Sequence, residues 1–259
     1  MKKTLLVLLT VLVSVMLGAC SSKESGSEAK STLEKIKAED EIVVAMGGRY
    51  PPFNYMNKEN ELDGFDVDIT KELAKRLGVE EKIVSTEWDS IIAGLNGGKF
   101  DIILGSMAIT DERQKKVDFV HYYTSGAAVI LPEGSDIKSA DELKGRTVGV
   151  GLGTTYEEKA RELGADVKTY SSSTDAFTDM MNGRVDAVIS DKLLSTFAIQ
   201  EKGYPFHTLD KLLYEEKMGI AVRKDDKELK EEIQKIMDNM MEDGTYAKIS
   251  EKTFGEDIR

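Results

Sequence analysis

Short apolar segments alternate with longer amphipathic ones along most of the chain. The segments "EIVVAM" (41–46) and "KFDIILGS" (99–106) carry runs of apolar residues that are typical of buried strands. Between them, "DVDITKELAKRLG" places Ile69, Leu73 and Leu77 on one face of a helix. This alternation of strands and helices predicts an α/β architecture with mainly parallel sheets.

Polar residues and glycines bound the predicted helices. Asp66 stands before the first apolar position of one helix and Gly78 follows the last, so we expect Asp66 to cap the helix and Gly78 to end it. Asp89 stands in the same relation to the short helix in "DSIIAGLNGG" and is expected to cap it.

The first twenty residues have a different character. Two lysines precede the apolar run "TLLVLLTVLVSVML", and small residues then lead to Cys20 in "LGAC", which is the arrangement of a secretory signal peptide. The run is short for a membrane span and the polar segment "SSKESGSEAKST" follows it, so a membrane-spanning helix is the weaker alternative. We therefore interpret residues 1–19 as a signal peptide and residues 20–35 as a flexible leader.

Cys20 is the only cysteine, which excludes an internal disulfide and a clustered thiolate metal site. Its surroundings, "LGAC", resemble the lipobox of bacterial lipoproteins, in which the cysteine is acylated and becomes the mature N-terminus. The resemblance implies lipidation of Cys20 and an anchor that holds the protein outside the cell membrane, as in Gram-positive surface lipoproteins. A chance cysteine within a signal peptide is the alternative.

The formal net charge is −12, and the lysines and arginines are scattered among more numerous acids. Because no basic stripe can follow a phosphate backbone, nucleic acid is not an expected partner.

A glycine-rich turn in "GRTVGVGLGTTYEEKARELG" (145–164) has the strand–turn–helix order of dinucleotide-binding folds. Gly149 and Gly151 are spaced correctly, but Thr154 takes the place of the third glycine and the next strand ends without an acid to bind ribose. We therefore expect no cofactor. Thr155 and Glu158 instead predict a capping box, and the free amides of that helix start favour a single anionic group.

Two candidate binding residues follow similar segments, "LNGGKFDIILGS" (95–106) and "MNGRVDAVISDK" (181–192). In open α/β sheets ligands bind beyond the carboxyl ends of the strands. Arg113, behind a turn that Thr110 can cap, could grip a carboxylate bidentately or pair with a neighbouring surface acid. Asp191 could bind a cation or cap the helix that follows it. The residue pattern leaves both pairs of alternatives open.

The motifs "RYPPFNY", "ELDGFDVDITKELAKRLG", "GKFDIILGSMAITDERQKKVDF", "ELKGRTVGVGLGTTYEE" and "GRVDAVISD" occur in this order. Together they resemble the motifs of bacterial extracellular solute-binding proteins of family 3, the amino-acid receptors of ABC importers. The resemblance runs from about Glu41 to the C-terminus. It implies a type II periplasmic-binding-protein fold, with two α/β lobes joined by a two-strand hinge. The implied boundaries are 36–124 and 220–259 for lobe 1 and 125–219 for lobe 2, with hinge crossings near 123–129 and 215–222.

The same resemblance implies roles for individual residues. Arg113 matches the residue that binds the substrate α-carboxylate, and Asp191 matches the acid that holds the α-ammonium. Tyr50 and Trp88 match positions whose rings flank the ligand side chain. Further contacts are expected from the turn after one strand and from the helix start on the other lobe: Gly105, Ser106, Ala108, Gly151 and Thr155.

Two departures from the family pattern bear on the ligand. Ala108 stands where the family usually has Ser or Thr, so a hydroxyl contact is lost while the backbone amide remains. Gly47 stands where receptors for basic amino acids often have an Asp, which weakens a lysine or arginine interpretation. We therefore favour a polar or uncharged amino acid as ligand, bound by a monomer whose partners are an ABC permease and its ATPase. Arg49 could face the cleft or solvent, and we favour solvent.

An enzyme is the alternative, because relatives of this fold include a dehydratase that acts on a cyclic carboxylate. Catalysis needs an acid or base facing the reacting centre, and Glu87 beside Trp88 is the only loose candidate. We expect no catalytic residue, no metal site and no enzymatic activity.

Overall fold

A computed structural model of the chain describes residues 31–259, which form one compact unit, Ser31–Arg259. The predicted signal peptide, Cys20 and the first part of the predicted leader lie outside the described residues. Among the helices of residues 31–259, none combines the length and the apolar character that a membrane crossing requires.

The described chain alternates strands and helices in the predicted manner. The strands are β1 (Glu41–Met46), β2 (Arg49–Tyr50), β3 (Asn54–Met56), β4 (Leu62–Asp63), β5 (Glu80–Ser85), β6 (Ile102–Ala108), β7 (Val117–Pro132), β8 (Thr147–Gly151), β9 (Asp166–Tyr170), β10 (Ala187–Asp191), β11 (Phe206–Thr208) and β12 (Tyr214–Arg223). The α-helices are α1 (Thr32–Glu39), α2 (Phe65–Leu77), α3 (Ile91–Asn96), α4 (Asp111–Gln114), α5 (Thr155–Glu162), α6 (Ser173–Met181), α7 (Lys192–Gln200), α8 (Lys227–Glu242) and α9 (Thr245–Phe254). Short 3₁₀ turns cover Trp88–Ser90 and Ala140–Leu143.

One large sheet runs through the molecule in the order β5–β1–β6–β12–β7–β10–β8–β9, with β11 beside β7. Strands β5, β1 and β6 are parallel, as are β10, β8 and β9. We call the first group with its helices lobe 1 and the second group with its helices lobe 2. The predicted parallel pairing therefore holds within each lobe.

The centre of the sheet is antiparallel, which differs from the expectation of mainly parallel sheets. Strand β12 pairs antiparallel with both β6 and β7, and β7 pairs antiparallel with β10. The reason is that β7 and β12 carry the chain between the lobes in opposite directions and pair along their length, from Tyr214 opposite Ala127 to Arg223 opposite Val117. The expected hinge crossings fall within these two strands.

The start of α2 differs from the prediction, whereas its end agrees with it. Gly64, not Asp66, occupies the N-cap position, with φ of 120°, and Asp66 lies fully buried in the first turn. A Cβ atom on Gly64 would stand 2.4 Å from the carbonyl oxygen of Phe53, so the close approach of two backbone segments requires glycine there. Gly78 ends the helix in the left-handed region, as predicted.

Two other local predictions are wrong. Asp89 lies inside the 3₁₀ turn Trp88–Ser90, and α3 begins after Ser90 without a side-chain cap. The predicted flexible leader is too long, because α1 begins at Thr32. Ser31 and Glu34 form a capping box there, and Ile36 is buried in the core.

Aromatic rings fill the core of lobe 1 beneath the central strands. Phe53 stacks on Tyr123 with ring centroids 5.3 Å apart, and Phe65 stacks on Tyr122 at 6.2 Å. Tyr122 and Tyr123 meet edge to face at 4.8 Å. This packing holds the Tyr122 ring in place and directs its hydroxyl group to Ser106 and Asp66.

Candidate binding cleft

A cleft of about 180 Å³ lies between the two lobes. Lobe 1 lines it with residues around β2, β5 and β6, and lobe 2 with residues around β8, α5 and the start of α6. Eight of the nine predicted binding residues line the cleft: Tyr50, Trp88, Gly105, Ser106, Ala108, Arg113, Gly151 and Thr155. The ninth, Asp191, is fully buried and does not line it.

Arg113 is held by hydrogen bonds from its backbone N–H and from its guanidinium group. Its backbone N–H donates to Oγ1 of Thr110, which caps α4 as predicted, at 3.2 Å. In the guanidinium, Nη1 donates to the carbonyl oxygen of Ala108 at 2.8 Å, and Nη2 donates to that of Gly153 on lobe 2 at 3.3 Å. These bonds fix the direction of the group and leave further N–H donors for a ligand.

The charge of Arg113 is not taken up by a neighbouring surface acid. Glu112 pairs with Lys115 instead, at 2.7 Å. The guanidinium carbon lies 5.8 Å from the centre of the Trp88 ring, within the range of a cation–π contact. Burial lowers the pKa of Arg113, and the negative charge of Glu216 is the largest influence that raises it. Of the two alternatives for Arg113, the surface ion pair is therefore absent from residues 31–259.

Thr155 lies at the helix start, but the predicted capping box is wrong by one residue. Thr154 has the extended N-cap conformation, and its Oγ1 accepts a hydrogen bond from the N–H of Glu157 at 3.3 Å. The carboxylate of Glu157 accepts one from the N–H of Gly153 at 2.8 Å. Thr155 is already helical, and its hydroxyl donates to Oε2 of Glu216 at 3.0 Å. Its side chain therefore has no hydrogen left to donate to a ligand.

Asp191 caps α7 with one carboxylate oxygen. Oδ1 accepts hydrogen bonds from the N–H groups of Leu193 at 2.7 Å and Leu194 at 3.2 Å. Oδ2 is buried and has no hydrogen-bond partner in the described part of the chain. Burial raises the pKa of Asp191 to about 7, with a further increase from the negative charge of Glu216. Helix capping and cation binding are therefore compatible, because each needs a different oxygen.

Tyr50 connects Asp191 with the cleft. The ring lines the cleft and stacks on Phe53 with centroids 5.4 Å apart. Burial raises the pKa of the Tyr50 hydroxyl well above its usual value, and the nearby negative charge of Asp191 is the next largest cause. The phenol group therefore stays neutral and remains a hydrogen-bond donor beside the carboxylate.

Ser106 is held in an unusual backbone conformation by a buried polar network. Its φ is 60°, in the left-handed region that non-glycine residues rarely adopt. Its N–H donates to the hydroxyl of Tyr122 at 2.8 Å, and its Oγ donates to Oδ2 of Asp66 at 3.0 Å. Asp66 also accepts from Asn54 Nδ2 at 2.6 Å and from Tyr122 at 2.8 Å. Both donors of Ser106 are thus used inside the protein, so it presents only acceptors to the cleft.

Asp66 is a functional candidate that the sequence pattern indicated only as a helix cap. Burial raises its pKa to about 6, although hydrogen bonds from Tyr122, Asn54 and Ser106 oppose the increase. The sequence signal was available in the helical pattern. Asp66 precedes Val67 and Ile69 in an apolar stretch, where a carboxylate must find partners from elsewhere in the chain.

Two of the predicted glycines are explained by packing within the protein. A Cβ atom on Gly105 would lie 3.2 Å from Cα of Met46 in the neighbouring strand. One on Gly151 would lie 3.0 Å from Cγ2 of Thr154. Both contacts are tighter than side chains usually allow, so a side chain at either position would require its neighbour to shift whether or not a ligand is bound.

Glu216 is a second residue that the sequence analysis missed. It lies in β12, is 8% exposed, and accepts the hydrogen bond from Thr155. It stands two residues before Met218, which lines the cleft, so strand alternation directs both side chains to the same face. The sequence signal is a charged residue at a strand position where the alternation of side chains predicts burial. Within residues 31–259, no cluster of side chains is suited to hold a metal ion.

Two α/β lobes, two connecting strands and a small cleft lined by both lobes define a ligand-binding protein of the type II periplasmic-binding-protein fold. The chain belongs to the bacterial extracellular solute-binding proteins, family 3, whose profile matches residues 42–256. The expected family and fold are confirmed, and the chain is a solute receptor.

Individual relatives are similar over nearly their whole length. The chain is 35% identical to the L-cystine-binding protein TcyJ of Escherichia coli (strain K12), over 97% of this chain and 96% of that protein. It is 34% identical to the L-cystine-binding protein TcyA of Bacillus subtilis (strain 168), over 100% and 99%. A solved structure of the ancestral amino acid-binding protein AncCDT-1, a precursor of cyclohexadienyl dehydratase, matches with a TM-score of 0.82 and 37% identity, over 86% of this chain and 100% of that one. Family and relatives thus bear names of binding proteins.

Proposed function

We propose that this chain is an extracytoplasmic receptor that binds a free amino acid between its lobes and delivers it to an ABC importer. One observation carries the proposal. Arg113 of lobe 1 has donors that its internal contacts do not use, and Asp191 of lobe 2 has one carboxylate oxygen that capping does not use. A zwitterion enclosed without water needs a partner for each of its charges. Groups on opposite lobes satisfy both charges only when the lobes are closed, so a ligand favours closure.

The proposed roles follow from these contacts. Arg113 and the backbone amides at the start of α5 hold the α-carboxylate, while Asp191 and the acceptors of Ser106 hold the α-ammonium. Tyr50 and Trp88 flank the ligand side chain. The remaining proposed contacts come from the backbone or from small surfaces: Gly105, Ala108, Gly151 and Thr155. We place lobe 1 at 32–124 and 220–259, so that it includes α1, and lobe 2 at 125–219.

The ligand that fits this proposal is a polar amino acid without net charge, and L-cystine is the first to test. Two relatives that the chain matches over nearly its full length are named as L-cystine-binding proteins. Gly47 lines the cleft and offers no acid to a basic side chain. Glu87 at the cleft is exposed, and no observation on the described residues favours the enzyme alternative.

We also propose how the receptor is exported and held at the cell surface. Residues 1–19 are removed as a signal peptide, Cys20 is lipidated and retains the receptor at the membrane, and a monomer passes its ligand to a permease driven by an ATPase. The family name, which describes extracellular proteins, supports the site of action.

A thermal-shift screen against the twenty common amino acids and L-cystine tests the function. A ligand at 100 times its dissociation constant stabilises the fold by about 2.7 kcal/mol, which shifts the unfolding temperature clearly. The absence of a shift with every amino acid contradicts the proposal.

Calorimetry on two variants tests the assigned roles. Arg113→Gln and Asp191→Asn should each cost about 2–5 kcal/mol of binding free energy, because each leaves an opposite charge unpaired in the closed cleft. Asn at position 191 can still cap α7, so that variant keeps its fold. Lys115→Gln, on an exposed side chain two residues from Arg113, is the control. Unimpaired binding by both variants contradicts the roles.

A further inference from the structure

Glu216 is a buried charged group next to the cleft, hydrogen-bonded to Thr155 of the cleft lining, and the proposed function gives it no role. It is 8% exposed, and only one of its oxygens is used, by the hydroxyl of Thr155 at 3.0 Å. The other oxygen, Oε1, is buried and has no hydrogen-bond partner among residues 31–259. A carboxylate in this state is not explained as a structural cap or as half of an ion pair.

The register of the sheet places Glu216 and Asp191 on the same face. Asp191 of β10 lies opposite Ala127 of β7, and Glu216 of β12 lies opposite Ser125 of β7. Residues 125 and 127 are two apart, so they and their partners share one face of the sheet. The small side chains of Ser125 and Ala127 separate the two carboxylates, which therefore form one acidic floor across the hinge strands.

Three neighbouring groups act on the pKa of Glu216. Burial raises the pKa of its carboxyl group, while the nearby hydroxyl groups of Tyr156 and Thr155 and the charge of Arg113 lower it. Its negative charge in turn raises the pKa of five titratable neighbours: Tyr50, Arg113, Tyr156, Asp191 and Tyr214. Arg113 is thus the positive charge that stabilises ionised Glu216, and no other cation lowers its pKa.

The charges around a bound amino acid do not balance. Arg113, which lines the closed cleft, is the one positive group near two buried acids behind the lining, Asp191 and Glu216. Arg49 and Asp175 neutralise each other at the rim. A zwitterionic ligand adds no net charge, and its carboxylate occupies Arg113. One buried negative charge is then left without a partner, which is unfavourable in an enclosed site.

We propose that Glu216 sets the charge selectivity of the cleft: when the lobes close over an amino acid without net charge, Glu216 binds one proton from solvent. This inference rests on the proposed function. The proton adds to Oε1, the oxygen without a partner, and leaves Oε2 to accept the bond from Thr155. A ligand with an additional carboxylate would bring a further negative charge to the same floor and is excluded.

Calorimetric titration of L-cystine in two buffers of different ionisation enthalpy tests the inference. At pH 8, where Asp191 is largely ionised, the wild type should take up about one proton more per ligand than Glu216→Gln. Its affinity should fall by up to about tenfold per pH unit relative to the variant. Gln at position 216 can still accept from Thr155. Glu215→Gln, on the exposed neighbour in the same strand, is the matched control and should behave as the wild type.

The possible results separate the inference from the proposed function. Equal proton uptake by wild type and Glu216→Gln overturns the inference while leaving the receptor function intact. Loss of L-cystine binding in Glu216→Gln with an unchanged unfolding temperature also overturns it, because Glu216 then acts as an anion. Absence of binding in the wild type overturns both. An infrared difference spectrum of the wild type provides an independent test, since addition of L-cystine should produce a protonated-carboxyl band whose absence overturns the inference without any variant.

Discussion

Arg49 of lobe 1 and Asp175 of lobe 2 form an ion pair across the mouth of the cleft. Nη2 of Arg49 donates to both carboxylate oxygens of Asp175, at 2.8 and 3.1 Å. Arg49 lies in β2 and Asp175 in the first turn of α6, so the pair exists only while the lobes are close together. The side chain of Arg49 is 57% exposed, but it also lines the cleft and joins the lobes, so the expectation that it faces solvent rather than the cleft is wrong.

Loss of this pair should weaken ligand binding slightly and speed ligand release. Asp175→Asn removes one charge from an exposed pair, and such pairs contribute about 0.2–1 kcal/mol, or roughly 1.4- to 5-fold in affinity. Calorimetry and stopped-flow dissociation measure the effect, which should shrink in 1 M salt because exposed charges are screened. Lys82→Gln breaks an exposed pair within lobe 1 and should leave affinity unchanged. Equal dissociation rates for Asp175→Asn and the wild type at low salt contradict the prediction.

Asp66→Asn should destabilise the protein and weaken binding together. The variant replaces one acceptor oxygen by an NH₂ group, which faces either the Tyr122 hydroxyl in place of Oδ1 or the donors of Asn54 and Ser106 in place of Oδ2. Each buried donor left without an acceptor costs about 1–3 kcal/mol. Urea unfolding measures the loss, and calorimetry measures the binding that depends on Ser106. Ser106→Ala in the same background tests the coupling, because it should add little to the loss of binding once Asp66 is gone. Additive losses would show that the two residues act separately.

The pH dependence of stability should distinguish Asp66 from its Asn variant. Burial raises the pKa of Asp66 from 3.8 to about 6, so the folded state binds more protons than the unfolded state between these values. The contribution of Asp66 to the free energy of unfolding therefore falls as pH rises through this window, by roughly 3 kcal/mol. Urea unfolding at pH 4 and pH 7 should show the wild type losing most of this amount relative to Asp66→Asn. A constant difference between the two proteins contradicts the raised pKa.

Gly64→Ala should be far more costly than Gly98→Ala. Both glycines have positive φ, of 120° and 71°, but a Cβ atom on Gly64 would stand 2.4 Å from the carbonyl oxygen of Phe53, whereas one on Gly98 meets nothing within 4 Å. The Phe53 carbonyl accepts from the N–H of Asp66, so the clash also displaces the buried network. We expect about 1 kcal/mol for Gly98→Ala and at least about 2 kcal/mol more for Gly64→Ala in urea unfolding. Similar losses of unfolding free energy for both variants would show that the positive φ alone, and not the clash with Phe53, determines the cost.

Local signals predicted the fold well and the cleft in part. Gly78 and Thr110 act as predicted because their roles depend on neighbours within a few residues. Thr154 and Thr155 are adjacent, and each has a Glu three residues on, so the sequence cannot choose between them as the N-cap residue. In the structure Thr154 has the extended conformation and is the N-cap. Asp66 was misassigned because its partners Ser106 and Tyr122 lie 40 and 56 residues away. Such contacts depend on how distant segments of the chain pack together, and the pattern of a short segment does not predict that.

Cys20→Ala should release the protein from the membrane. The cysteine lies outside the described residues, so this prediction rests on the lipobox-like sequence "LGAC" alone. Without a thiol, no acyl chain can be attached, and the polar residues that follow offer no other anchor. Cell fractionation with an antibody against the receptor measures retention, and Ser21→Ala serves as the neighbouring control. Unchanged membrane retention of Cys20→Ala would contradict lipidation.

Trp88 should report closure of the cleft through its fluorescence. It is the only tryptophan of the chain, it lines the cleft, and the Arg113 guanidinium lies 5.8 Å from its ring. A ligand carboxylate on Arg113 changes the electric field and the hydration at the indole, so titration with L-cystine should give a saturable change in emission. Trp88→Phe should abolish this signal while calorimetry still detects binding, weakened by about 2- to 5-fold because a cation–π contact contributes roughly 0.5–1 kcal/mol. Tight calorimetric binding by the wild type without any change in emission would place the ligand away from Trp88.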